Sequence, residues 1–366
     1  MLLEGLHIPL TTPFHPDGRL NPPKLASNVA RYSKTPAAGL IVLGPAAEPT
    51  LLTDDETQEV LRTAAQAATP EKVLLAGISR DSVLATLTLA DFAAKQQYDT
   101  VLIGAPSILA AKDLRELLTY FQTIADRSPL PIVLLSTLTR SIPTAATIEL
   151  AAHHNIIALL DTAAHSVETE EILHRTAIIQ REVTVTTVFT AVTARMIAAA
   201  AAATWAPPTF ISADTLAETY SGMLAVVDAG INTTLLAEPP DPPPPPVSPL
   251  RTRTKTVGFQ LLAGATSTML DALRAGASAI APALAACAPQ ACYEVFAAWK
   301  DSDQPLAEEK QFRLNAAAHL AEDSPGTLKF GCDRNGYFGG LPRLPHLPPT
   351  GEQRANLEHL MEGMRN

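Results

Sequence analysis

The residues able to do chemistry gather where apolar runs stop. Thr11 and Thr12 follow Pro9-Leu10, and Glu48 follows the run at 38–44. Ser136 closes the run at 130–136, Thr137 comes next, and Arg140 stands three residues on. Asp161 and Thr162 close the run at 156–162, with His165 just beyond. A guanidinium beside two hydroxyls holds a carboxylate through charge-assisted hydrogen bonds, so Arg140 with Ser136 and Thr137 is a candidate cradle for a small acid anion. The competing reading pairs Arg140 with Glu48 or Asp161, or leaves it in water. Glu48 and Asp161 together suggest acid–base work. A carboxylate pair without a nucleophile is weak evidence of catalysis.

Nucleophilic and metal chemistry find less support. Lys24, Lys34, Lys95, Lys112, Lys300 and Lys310 fall in helical or loop stretches, Lys72 begins a run, and Lys255 lies beyond a proline tract. Cys287, Cys292 and Cys332 form no CxxC and read as buried or idle thiols of a reducing compartment. His153-His154 reads as a solvated turn, so neither a metal nor a cofactor is expected.

The elements that must position these residues alternate regularly. Continuous apolar runs at 38–44, 72–78, 99–105, 130–136 and 156–162 suit parallel strands covered on both faces. Helical patterns at 54–68, 82–97 and 111–126 lie between them. Thr53 before Asp54-Asp55-Glu56 has the spacing of a capping box, with acids at the favourable helix end. Such alternation predicts a parallel α/β fold. By itself it fits an open doubly wound sheet as well as a closed barrel.

Composition narrows the class. Apolar residues make up 47%, enough for a large core, and the net charge of −10 without a basic stripe argues against nucleic-acid binding. The apolar stretch at 196–206 is far shorter than a membrane span needs, and no leader with a basic start precedes the first strand. A cytoplasmic protein is expected.

Several motifs occur in a specific order. Pro9-Leu10-Thr11-Thr12-Pro13-Phe14 comes first, then Ala38-Gly39-Leu40-Ile41-Val42-Leu43-Gly44 with Pro45-Ala46-Ala47-Glu48 and Leu52-Thr53. Leu130-Pro131-Ile132-Val133-Leu134 and Asn155-Ile156-Ile157-Ala158-Leu159-Leu160-Asp161-Thr162 follow. Pro325-Gly326-Thr327-Leu328-Lys329 and the stretch 336–345 close the series. This order resembles the dihydrodipicolinate synthase / N-acetylneuraminate lyase family of class I barrel aldolases. The last two motifs resemble its 4-hydroxy-2-oxoglutarate and 3-deoxy-hexulosonate aldolase branch. The resemblance covers roughly residues 3–182 and 256–363. It implies a TIM (β/α)8 barrel with C-terminal helices, with sites at the C-terminal ends of the strands.

The resemblance also implies a chemistry that this sequence does not carry. In the family a lysine ending strand six forms a Schiff base with a 2-keto acid; that position is Leu160. A tyrosine ending strand five shuttles protons; that position is Leu135. Relay hydroxyls after strand two fall on Pro45 and Ala46, a tyrosine after strand four falls near Ile108, and an asparagine after strand eight falls on Ala286. Arg140 falls on an arginine that binds substrate carboxylate in the synthases, and Lys329 on a lysine of the C-terminal helices. The expected reading is a non-catalytic or divergent member, a pseudoenzyme or regulatory subunit. Such a subunit would be a homo-oligomer, as in the family tetramer, or sit in a hetero-oligomer with an active relative. The alternatives are a lyase acting on a 2-keto acid by an altered mechanism, and a binder of small carboxylates.

One region departs from the resemblance. About a hundred residues separate Leu160 from Leu261-Leu262-Ala263-Gly264, which resembles strand seven. The expected organisation is barrel strands one to six over 1–182, an insertion over 183–255, and strands seven and eight with C-terminal helices over 256–366. The insertion offers a strand at 183–190, helices at 191–204 and 212–229, and the proline run 242–246. That run reads as a stiff surface spacer. SH3 or WW docking is the competing reading, and retained non-coding sequence a third.

Overall fold

Eight short apolar strands close into a parallel barrel in this computed structural model, which describes residues 1–109, 114–163, 166–205 and 250–364. The barrel strands are β1 (Gly5–Pro9), β2 (Gly39–Val42), β3 (Val73–Gly77), β4 (Thr100–Gly104), β5 (Ile132–Ser136) and β6 (Ile156–Asp161). After two strands that stay outside it, β9 (Gln260–Ala263) and β10 (Ala279–Ile280) complete the ring. β6 pairs with β9, β9 with β10, and β10 with β1, so the run at 261–264 is indeed strand seven.

Side chains sort into two cores because successive strand residues point to opposite faces. The barrel interior is filled by Leu3, Ile41, Leu75, Leu102, Val133, Leu160 and Ala281, among others. A larger core lies between the strands and the surrounding helices. These are α1 (Pro22–Tyr32), α2 (Asp54–Ala67), α3 (Val83–Lys95), α4 (Leu114–Arg127), α5 (Thr144–Ala151) and α6 (Ser166–Thr176). The Thr53 capping box forms as expected: the Thr53 hydroxyl accepts from the Glu56 N–H, and Glu56 accepts from the Thr53 N–H.

The insertion begins as a hairpin at the N-terminal end of the barrel. β7 (Arg181–Thr186) and β8 (Thr252–Val257) pair antiparallel. Val183 and Val185 pack on Leu2. Arg181 donates to the carbonyls of Ala151 and His153 at 2.7 and 2.9 Å, and the Ala194 N–H donates to Asp99 at 3.0 Å. The expected strand over 183–190 stops at Thr186, because Phe189 takes φ 62° in a turn that returns Thr190 to Thr186. β8 takes up the last residues of the expected insertion, with Lys255 paired to Glu4 at 2.8 Å. The helix expected over 191–204 forms as α7 (Ala194–Trp205), and a second compact unit comprises Ile197–Leu250. Of that unit only 197–205 and Leu250 are described. The helix expected over 212–229 and the proline run lie outside the described residues.

After the barrel strands come α8 (Met269–Ala275, between β9 and β10), α9 (Pro289–Lys300), α10 (Gln304–Ala321), α11 (Pro325–Arg334) and α12 (Gly351–Leu360). No helix among the described residues is long and apolar enough to cross a membrane.

Candidate functional site

Two cavities open among the residues at the C-terminal ends of the strands. The first, of about 360 Å³, is lined by Pro9, Ile41, Leu138, Leu160, Thr162, Gly264, Ala281 and Glu322, among others. Leu160 is 1% exposed, packs in the barrel interior and pairs in register with Leu262 of β9. A Cβ placed on Gly264 would stand 3.1 Å from a Leu160 methyl and 2.7 Å from Thr162, so only glycine fits beside them. The second cavity, of about 250 Å³, is lined by Ser79, Arg80, Leu135, Thr137, Thr139, Arg140 and His346, among others. Among the described residues, no lysine lines either cavity.

The second cavity carries the positive charge. Arg80 is drawn aside to Asp54 at 3.3 Å and to the Thr57 hydroxyl at 3.2 Å. Arg140 makes no ion pair among the described residues, so neither pairing with Glu48 nor pairing with Asp161 occurs there. A tight turn presents it: Thr137 and Arg140 exchange backbone hydrogen bonds, and the Arg140 N–H also donates to the Thr137 hydroxyl at 3.1 Å. The Ser136 hydroxyl is buried and accepts from the Ile142 N–H at 3.2 Å, which holds the far end of the same loop.

Other sequence candidates have partners of their own, including Glu48, which also lines the second cavity, and Thr162, which lines the first. The Thr12 hydroxyl donates to the Ala47 carbonyl at 2.7 Å. Thr11 is buried beside the Cys332 thiol. Asp161 accepts from the Ala163 N–H at 3.0 Å, and the Thr162 hydroxyl donates to the Ser136 carbonyl at 3.2 Å. His165 lies outside the described residues. Glu48 takes a left-handed backbone, φ 55°, that turns its fully buried side chain onto the Lys329 ammonium. Its second oxygen accepts from the Arg343 N–H at 2.8 Å. Burial lowers the Lys329 pKa and Glu48 opposes that. The Lys329 amine also lies 4.2 Å from the Phe14 ring and 3.2 Å from the Leu341 carbonyl. Glu48 and Lys329 therefore clamp the loop after β2 to the C-terminal helices.

Glu322 was not singled out by sequence reasoning. Its Oε1 accepts from the Thr266 hydroxyl and, at 2.8 Å, from the Leu284 N–H. Although the residue as a whole is exposed, the protein crowding its carboxyl raises its pKa, and the two donors oppose the rise. One signal was present: an acid closing a helix runs against the helix dipole. Among the described residues no group of His, Cys, Asp and Glu is arranged to hold a metal.

Comparison with known proteins agrees with this architecture. An L-threo-3-deoxy-hexylosonate aldolase from Hypocrea jecorina is 35% identical over 136 residues, 36% of this chain and 43% of the relative. An N-acetylneuraminate lyase from Rhizobium meliloti is 27% identical over 176 residues, 48% and 58% of the two chains. The chain thus spans about half the length of these curated relatives. Among solved structures, YagE of E. coli K12, determined with pyruvate, is 18% identical with TM-score 0.72, covering 100% of this chain and 99% of that one. That likeness shows the fold. The Dihydrodipicolinate synthetase family profile matches residues 2–198, more than half of the sequence, and the chain belongs to that family.

Proposed function

We propose that this barrel has left Schiff-base aldolase chemistry and serves as a non-catalytic or divergent member, a binding or partner subunit. One observation carries the reading: the strand-end positions facing the mouth from β5 and β6 are Leu135 and Leu160, and no lysine among the described residues lines either cavity. An imine requires an amine that a keto acid can reach. Lys329, clamped into the C-terminal layer, is fully buried, ion-paired to Glu48 and absent from both cavity walls. The proton relay that the resemblance implies is also missing, since Leu135, Pro45 and Ala46 offer no hydroxyl. The test is reductive trapping: with pyruvate and borohydride, this chain is expected to gain no covalent adduct.

A second reading is favoured by Arg140. A guanidinium in a cavity without an ion pair among the described residues suits a small carboxylate, such as a 2-keto acid held without covalent chemistry. It extends to a lyase working on that acid by another mechanism. Association with an active relative belongs to the first reading, and size measurement of co-expressed chains tests it.

A further inference from the structure

Among the described residues lining the first cavity, the single ionisable group is an acid. Glu322 closes α10 and reaches over the loops that follow β9 and β10. Both protein donors it receives, the Thr266 hydroxyl and the Leu284 N–H, fall on Oε1. Oε2 has no hydrogen-bond or ion-pair partner among the described residues. Two donors on one oxygen, from two different loops, fix the carboxyl in one orientation. The remaining walls include Pro9, Ile41, Leu160 and Ala281, which offer hydrocarbon.

Physical chemistry decides the sign of ligand such a cavity takes. A carboxylate fixed in a cavity wall attracts an opposite charge, and hydrocarbon around the pair makes that attraction stronger than in water. A second anion would meet like charge with no cation among the described wall residues to offset it. We propose that this cavity binds a small organic cation, a protonated primary amine on an apolar body, with the ammonium on Glu322 Oε2 and the body against Ile41 and Leu160. The inference rests on the reading that position 160 carries no Schiff base, because an amine there would fill the same space with the same charge. It adds a ligand class opposite in sign to a keto acid.

The experiment titrates the full-length protein with n-butylammonium, butyrate and n-butanol, three probes of one shape, by calorimetry at fixed ionic strength. The expected result is saturable binding of the ammonium with a Kd on the order of 1 mM, and at least tenfold weaker binding of the other two. Glu322→Gln keeps the acceptor for Thr266 and Leu284, so it preserves the loops while removing the charge. It is expected to weaken the ammonium at least tenfold. Butyrate or butanol binding as well as the ammonium, undiminished binding by Glu322→Gln, or no saturable ammonium binding would each overturn the proposal. The probe comparison on the unmodified protein decides the matter even if the variant does not fold. A pyruvyl adduct in the trapping experiment would defeat the proposed function by a separate readout.

Discussion

Leu135 and Leu160 are direct register partners: β5 and β6 pair them side by side at the mouth of the barrel. In a parallel pair, residues in register point to the same face. Leu160 enters the barrel interior almost without exposure, and Leu135 packs partly buried against the same cluster. Two branched hydrocarbons thus stand together where the strands end, and burying Leu160 alone stabilises the fold by about 1.5–3 kcal/mol. The pair acts as the upper layer of the barrel core.

Truncating that layer should cost stability. Leu160→Ala is expected to lower the unfolding free energy by about 2–5 kcal/mol, the usual cost of a leucine-sized cavity in a closed core. Urea denaturation followed by circular dichroism measures it. A cost near zero would place Leu160 outside the packed interior.

Restoring the amine alone should not restore chemistry. Leu160→Lys is expected to show no keto-acid cleavage or condensation above background, because Leu135, Pro45 and Ala46 leave the proton path unbuilt. A coupled assay for released pyruvate checks this. Turnover from the single change would mean that another group on the mouth moves the proton.

The buried pair Glu48–Lys329 should behave as a unit. Lys329→Met leaves a carboxylate buried without its counter-charge and is expected to destabilise by about 3–5 kcal/mol. Adding Glu48→Gln removes that stranded charge and should recover a large part of the loss. A double-mutant cycle in denaturant measures the coupling, and additive single losses would contradict it.

Glu56 and Arg343 should impose an acid-side pH dependence. The hydrogen-bonded Arg343 guanidinium holds the Glu56 carboxyl below its ordinary value of 4.5, with help from the Thr53 N–H. A carboxylate depressed in the folded state contributes stability that is complete above 4.5 and is lost as pH falls through its folded value. The stability difference between the unmodified protein and Arg343→Met should therefore shrink as pH drops below 4.5. A difference constant from pH 7 to pH 3 would show that Arg343 acts through packing on Phe14, whose ring it covers at 4.3 Å, rather than through Glu56.

Arg140 separates the two functional readings. If a small carboxylate binds in the second cavity, Arg140→Ala should abolish the thermal shift produced by pyruvate or 2-oxobutyrate. A shift that survives the substitution would remove Arg140 from the binding account.

Strands two to six were legible because parallel strands covered on both faces appear as unbroken apolar runs, while strand one was placed by the resemblance carried by the motif at 9–14. Strand eight was not legible from pattern alone, since β10 has only two paired residues, Ala279 and Ile280. The site was legible in part. Arg140 shares its cavity with Thr137, as the loop spacing suggested, while Ser136 secures the loop from beneath. Glu48 looked available beside its loop, but its partner Lys329 comes from a helix near the other end of the chain. Glu322 reaches the mouth from α10, and no local pattern announces which end of a helix will overhang a cavity. The hairpin of β7 and β8 was hidden for a similar reason: its two strands are separated by the whole second unit.

The central claim is that this barrel holds no amine for a keto acid. Intact-mass spectrometry after incubation with excess pyruvate and sodium borohydride tests it most directly, with an active family aldolase treated alongside. The account predicts a mass unchanged from the untreated chain, while the active aldolase gains one reduced pyruvyl group. A stoichiometric pyruvyl adduct on this chain, mapped to any lysine, would contradict it.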